Sequence, residues 1–281
     1  MESILCLIDY KANSEQVLLY ALYLAKKLHA DLALVHIFES AGEALIEGES
    51  GQAEGNSNPE DQQRAELLRL KQFTQSTASQ FLQEIDIRYI VAGGSRRERI
   101  TEFIATYDIE LVVMGMGNRK GFAGRLFGNL ALKMIDQGPC PLLLIPPEAN
   151  FRKVSNIIYA TDFSYNNLNA IELLLQWSEG LDAGLSLVHV SEDPEDNQWA
   201  SVQMDKIKRT FEDETADEDR MQFAVLTGEV QETLETYIEK TKADIIALTT
   251  HPRSIWDQWM ATSLAKNLAE AVAIPLLVFK E

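Results

Sequence analysis

The segment Gly115-Met116-Gly117-Asn118, followed after nine residues by Gly128-Asn129, holds residue types that let a backbone close on a phosphate. Glycine permits positive φ and brings main-chain N–H groups close to an anion. A helix starting just after the segment would aim further N–H groups at it. Asn118 and Asn129 suit the same task, because asparagine visits the left-handed region readily and its amide NH2 donates. Arg119, Lys120 and Arg125 add positive charge, and Gly121 and Gly124 loosen the chain further. Taken alone, such a segment serves equally as an ordinary turn. Asp9 is the second candidate. It follows the apolar run Ile4-Leu5-Cys6-Leu7-Ile8, and at a strand end a carboxylate either meets a ligand or caps its own loop.

Other constellations are weaker. No Gly-x-Ser-x-Gly elbow, His-Glu-x-x-His pair or Gly-x4-Gly-Lys-Ser/Thr loop occurs, so catalytic readings start low and Asp9 is the only convenient base. His36 and His189 lack acidic or histidine neighbours at ligand spacing and read as satisfied core residues. His29 follows Lys26 and Lys27 at a helix end, where a cationic side chain favours the dipole. Cys6 and Cys140 form no Cys-x-x-Cys pair and are expected as buried, reduced thiols.

Composition narrows the classes. The net charge is −18, divided as −6 over residues 1–150 and −12 over 151–281. An acidic surface repels phosphate backbones and anionic lipid, so neither nucleic acid nor membrane is an expected partner. No apolar run approaches the roughly 18 residues of a membrane span. The amino terminus has no basic stretch, long apolar run or small-residue cleavage site, so a cytoplasmic location is expected.

The elements that must hold these residues are written twice. Ile4-Leu5-Cys6-Leu7-Ile8-Asp9 matches Ile157-Ile158-Tyr159-Ala160-Thr161-Asp162, and Leu34-Val35-His36-Ile37 matches Leu187-Val188-His189-Val190, both at an offset of 153. Gly94 and Gly228, Met114-Gly115 and Leu248-Thr249, and Pro141-Leu142-Leu143 and Pro275-Leu276-Leu277 match at 134. The change of 19 is one insertion in the first copy. Glu47–Glu60, rich in Gly, Ser, Asn and Glu, reads as a mobile loop within it. From Gln62 a helical face follows, made by Leu67, Leu70, Thr74, Thr77 and Phe81. Pro146-Pro147 closes the first copy and a linker runs to about Phe151. The expected domains are 1–147 and 152–281.

Within each copy, strands alternate with helices. Asn13 with Gln16 resembles a capping box, and Leu18, Ala21, Leu22, Ala25 and Leu28 follow with helical period. Ile100, Phe103, Ile104 and Tyr107 repeat that pattern, as do Leu234, Tyr237 and Ile238. Continuous apolar runs such as Leu111-Val112-Val113-Met114 suit parallel strands covered on both faces. The expected architecture is two tandem doubly wound parallel sheets, whose ligands sit beyond the strand carboxyl ends where the strand order reverses.

Thr161-Asp162-Phe163-Ser164, Val188-His189-Val190 and the stretch from Leu111 to Pro146, above all Gly138-Pro139-Cys140-Pro141-Leu142-Leu143-Leu144-Ile145, resemble the universal stress protein family. The resemblance covers nearly all of both copies. It implies two five-stranded Rossmann-like domains of the adenine nucleotide alpha hydrolase type, packed as a pseudo-dimer with Leu142–Ile145 and Leu276–Phe279 near the contact. Its ATP-binding members carry Gly-x2-Gly-x9-Gly-Ser/Thr after the fourth strand. In the first copy two of those three glycines remain, with Asn118 in place of the other and Asn129 in place of the hydroxyl residue. By position, Asp9 and Ile37 would border adenosine, and Met114, Gly115, Gly117, Asn118, Gly128 and Asn129 would surround ribose and phosphates.

The second copy reads Thr249-Thr250-His251-Pro252, nine residues, then Thr262-Ser263, so all three glycine positions are lost. Trp256 and Trp259 either pack there or fill the space phosphates would take. The expected function is a regulatory module binding ATP or another adenine nucleotide, with or without Mg²⁺, in the first copy only. A scaffold acting through an unidentified protein partner or a homodimer is the alternative. A weak phosphohydrolase is a third reading, and no catalytic residue is assigned.

Overall fold

The computed structural model of the chain describes residues 1–38, 58–81, 85–117, 129–163, 167–193, 195–211, 220–250 and 273–280. Most of the Glu47–Glu60 segment, together with Asn118, Gly128, His251, Pro252, Trp256, Trp259, Thr262 and Ser263, lies outside them. By its own contacts the chain divides into two compact units, Met1–Gly115 with Asn129–Leu142, and Met116–Gly128 with Leu143–Glu281.

In the first unit, β1 (Ser3–Leu7), β2 (Asp31–Phe38), β3 (Ile87–Gly93) and β4 (Leu111–Gly115) lie in the order β3-β2-β1-β4, every described pair parallel. The order reverses between β1 and β4, as a doubly wound sheet requires. The helices are α1 (Ser14–Leu28), α2 (Pro59–Ala78), α3 (Arg96–Thr106) and α4 (Asn129–Gln137). β1 and β4 are almost wholly buried because helices cover both faces. The strand β5 (Leu142–Ile145) begins at the border of the units, and Val112 N–H donates to the Pro141 carbonyl at 3.0 Å just before it.

In the second unit, β6 (Asn156–Ala160), β7 (Gly184–Ser191), β8 (Met221–Thr227), β9 (Ile245–Thr250) and β10 (Leu276–Lys280) run in the order β10-β9-β6-β7-β8, again parallel. Its described helices are α5 (Asn167–Leu181), α6 (Asp196–Phe211) and α7 (Val230–Thr241). The doubly wound α/β architecture expected of each repeat is present. Gly94 and Gly228, matched by the repeat, both stand at positive φ, 116° and 148°, and donate back to Phe38 and Ser191 at equivalent strand ends.

Two sequence expectations need correction. Pro59 and Glu60, read as the end of a loop, form the first turn of α2, with the Asn58 side chain accepting from Glu60 N–H at 3.3 Å and proline at the start. Asn13 stands at the N-cap of α1, but its side chain makes no capping hydrogen bond. Of the expected α2 face, Leu70 and Thr74 are fully buried and Leu67, Thr77 and Phe81 half-buried, while Ala78, outside that set, is also buried.

Candidate functional site

Register places the candidate residues at the carboxyl end of the first sheet. Leu7 pairs with Val35 of β2 and Met114 of β4, and the β1–β2 ladder continues with Ile8 N–H donating to Val35. Ile37, two residues past Val35, therefore shares a face with Met114, since paired residues of parallel strands point the same way and side chains alternate. Asp9 reaches the same level past the end of β1. The opposite face belongs to α1, where the Cys6 thiol meets the Val17 carbonyl at 3.9 Å. Ile37 and Met114 are buried, at 2% and 4% exposure, so they form the floor of this end of the sheet. Gly115 faces the α1 side.

Asp9 holds the turn that leads into α1. Its Oδ1 accepts from Lys11 N–H and from the Ser14 hydroxyl, each at 3.1 Å, and its Oδ2 pairs with the Lys11 ammonium at 3.2 Å. The side chain is one-third exposed, so one edge of the carboxylate still meets solvent. Behind this turn Asn13 is buried against Gly115. The amide packs where a side chain on Gly115 would stand, which explains why it does not cap the helix. Gly117 closes the described part of the loop, and Asn129 opens α4. Asn118 and Gly128 are outside the described residues.

Sequence reasoning missed the residue next to Asp9. Tyr10 takes a left-handed backbone, φ 55°, and stacks on His36 with ring centroids 4.6 Å apart. His36 Nδ1–H donates to the Ile8 carbonyl at 2.8 Å. The second repeat builds the same device: Phe163 has φ 60°, stacks on His189 at 4.5 Å, and His189 Nδ1–H donates to Thr161 at 2.8 Å. The offset of 153 relates all three pairs, so the repeat itself carried the signal. The histidines are thus satisfied structural residues.

The first copy adds charge. Arg69 lies 3.9 Å over the Tyr10 ring, and Glu66 Oε2 stands 3.6 Å from both His36 Nε2 and Arg69 Nη1. Burial, and next the Glu66 carboxylate, push the Tyr10 phenol up to about 12, against the opposing pull of Arg69. Among the described residues, no three His, Cys, Asp or Glu side chains converge where a metal ion could be held.

The equivalent end of the second sheet is filled differently. Thr249, which stands where the first copy has Gly115, shares a hydrogen bond of 2.7 Å with the Tyr159 hydroxyl. Thr250 Oγ1 donates to the Phe279 carbonyl at 3.2 Å. Side chains, not open backbone, occupy these positions. The corresponding Met116 N–H donates to Ile145 at 2.8 Å.

A model of the Universal stress protein family matches the chain twice, at residues 1–146 and 153–280. Among solved structures, the chain is similar to a universal stress protein from Archaeoglobus fulgidus DSM 4304, with a TM-score of 0.68 and 15% identity, covering 99% of this chain and 96% of that one. It is similar to a putative universal stress protein from Pseudomonas aeruginosa UCBPP-PA14 at a TM-score of 0.65 and 15% identity, covering 100% and 93%. The cytoplasmic domain of a prokaryotic cation chloride cotransporter also matches, with a TM-score of 0.54 and 11% identity, covering 99% and 94%. At such identities the structural likeness speaks for fold alone. No curated protein matches the chain.

Proposed function

We propose, since this chain belongs to the universal stress protein family, that it is a cytoplasmic regulatory module whose first repeat binds ATP or another adenine nucleotide while its second does not. The observation that supports the asymmetry is the loop sequence, in which the first repeat keeps Gly115 and Gly128 where the second has Thr249 and Thr262. Asp9, Ile37, Met114, Gly115 and Gly117 would line the nucleotide together with Asn118, Gly128 and Asn129. Thr262, which the repeat sets against Gly128, is β-branched and resists the positive φ open to glycine, and Pro252 removes an N–H donor. Two lost hydrogen bonds to a charged group weaken binding by a factor of about 10²–10⁴. No catalytic step is assigned, because the Asp9 carboxylate is engaged in holding its own turn.

The test adds ATP with Mg²⁺ to the full chain and follows the melting temperature, the nucleotide released on denaturation and the stoichiometry by equilibrium titration. A ligand that binds only the native state raises stability by about 2.7 kcal/mol at a hundredfold excess over Kd. One nucleotide per chain is expected. Two per chain would overturn the asymmetry. No thermal shift and no retained nucleotide would favour a scaffold acting through protein contacts, and turnover abolished by Asp9→Ala would favour an enzyme.

The reading includes domains at 1–147 and 152–281 paired through their last strands, which the repeat and its apolar closing strands support. Cysteine cross-linking between residues flanking Leu142–Ile145 and Leu276–Phe279 tests that pairing.

A further inference from the structure

Helix α6 leaves Trp199 53% and Val202 49% exposed, one turn apart on one face. Tryptophan is a well-buried residue on average, so an uncovered indole beside an uncovered valine is informative. The indole is also held in place. It stands edge-on to Phe163, with centroids 5.5 Å apart and planes at 84°. Aromatic anchors fixed before binding lose little entropy on docking and carry most of the energy of small interfaces.

Charge is segregated about this pair. Glu192, Asp193, Glu195 and Asp196 are exposed before and within the first turn of α6, and Lys206, Lys208 and Arg209 are exposed in its last turns. Asp205 is the acidic exception in the basic half. The segregation suits the helix dipole. The dipole gives no reason to leave Trp199 and Val202 uncovered between the two charge groups. A surface that runs acidic, apolar, basic is complementary to its own reverse, which is the condition for an isologous two-fold contact.

We propose that this face of α6 docks on the same face of a second copy of the chain, antiparallel about a two-fold axis midway between Trp199 and Val202. Trp199 then lies against the copy's Val202, and Glu195 meets the copy's Lys206. One helix against another buries less than the roughly 1,600 Å² of a standard interface, so the association belongs to the weak, transient class.

The test is sedimentation equilibrium of the full chain over a concentration series, with two paired variants. Glu195→Lys with Asp196→Lys makes both ends of the stripe basic, and Lys206→Glu with Arg209→Glu makes both acidic. Each alone should weaken self-association about tenfold or more, because like charges then face each other at both ends. An equimolar mixture of the two should restore it, since each supplies the end the other lost. Melting temperatures confirm that the variants remain folded. A wild-type chain that stays monomeric, self-association indifferent to both variants, or a mixture no stronger than its components would overturn the proposal.

Discussion

A Cβ placed on Gly115 would lie 2.8 Å from both heteroatoms of the Asn13 amide, closer than side chains pack. Glycine at this position therefore serves the seat of α1 as well as any ligand beyond it. Gly115→Ala should destabilise the protein by about 1–3 kcal/mol through overpacking. Adding Asn13→Ala should recover part of that loss, because it removes the atoms the new methyl meets. Denaturant melts of the two single variants and the double variant check this. Strict additivity would show that the two residues do not press on each other.

Tyr10→Phe removes a buried hydroxyl that has no hydrogen-bond partner among the described residues and introduces the residue the second repeat carries as Phe163. Stability at neutral pH should hold or rise slightly. The alkaline limb should change more. The unfolded chain releases this proton near the ordinary value of 10.0, whereas the folded chain keeps it to about 12. Native protein thus holds the extra proton between those values, so its stabilisation is full below pH 10 and is lost as pH rises toward about 12. Denaturation midpoints at successive alkaline pH values should fall less steeply in Tyr10→Phe than in wild type. Tyr89, also raised by burial, leaves a residual slope. Identical slopes would count against the assignment.

Asp244 ties the start of the second repeat to β9. Its Oδ2 accepts from Ser155 N–H at 2.7 Å and Asn156 N–H at 3.0 Å, and its Oδ1 pairs with Arg152 Nε at 2.7 Å. The residue is 6% exposed. Asp244→Ala strands these donors and should cost about 2–4 kcal/mol. Glu110 performs the matched task for Glu2 N–H at the surface, at 2.7 Å. Glu110→Ala should stay within about 0.5 kcal/mol. Comparable losses in the two variants would refute the role given to burial.

Both thiols should be slow toward a disulfide reagent in the native protein at mildly alkaline pH and reactive once it is denatured. Burial pushes the Cys6 thiol far up, and it pushes the half-buried Cys140 up to about 12 despite a hydrogen bond with Val112 backbone. The thiolate is the reacting form. Rapid labelling of one cysteine in the folded chain would contradict this.

Most of the architecture was legible because apolar periodicity and internal matching report which positions are buried. The α2 face through Leu70 and Thr74 and the paired glycines Gly94 and Gly228 follow from spacing alone. The family resemblance was legible in the strand ends and in the segment around Pro141. The start of α2 was misplaced because Pro59 looks like loop punctuation, although proline also fits the first helical turn.

The sequence by itself determined two repeats of alternating strands and helices and the loss of glycine at Thr249. These depend on residue type and spacing, which the chain carries locally. Ile37 and Met114 were singled out by the family resemblance and brought to one end of the sheet by the register of the structure. Only the tertiary structure decided which partners the polar side chains take. Asn13 forgoes capping because Gly115 leaves room for its amide, and Thr249 is claimed by Tyr159. Hydrogen-bond partners far apart in the chain are chosen by distance and direction in the packed state, and no period in the sequence encodes them.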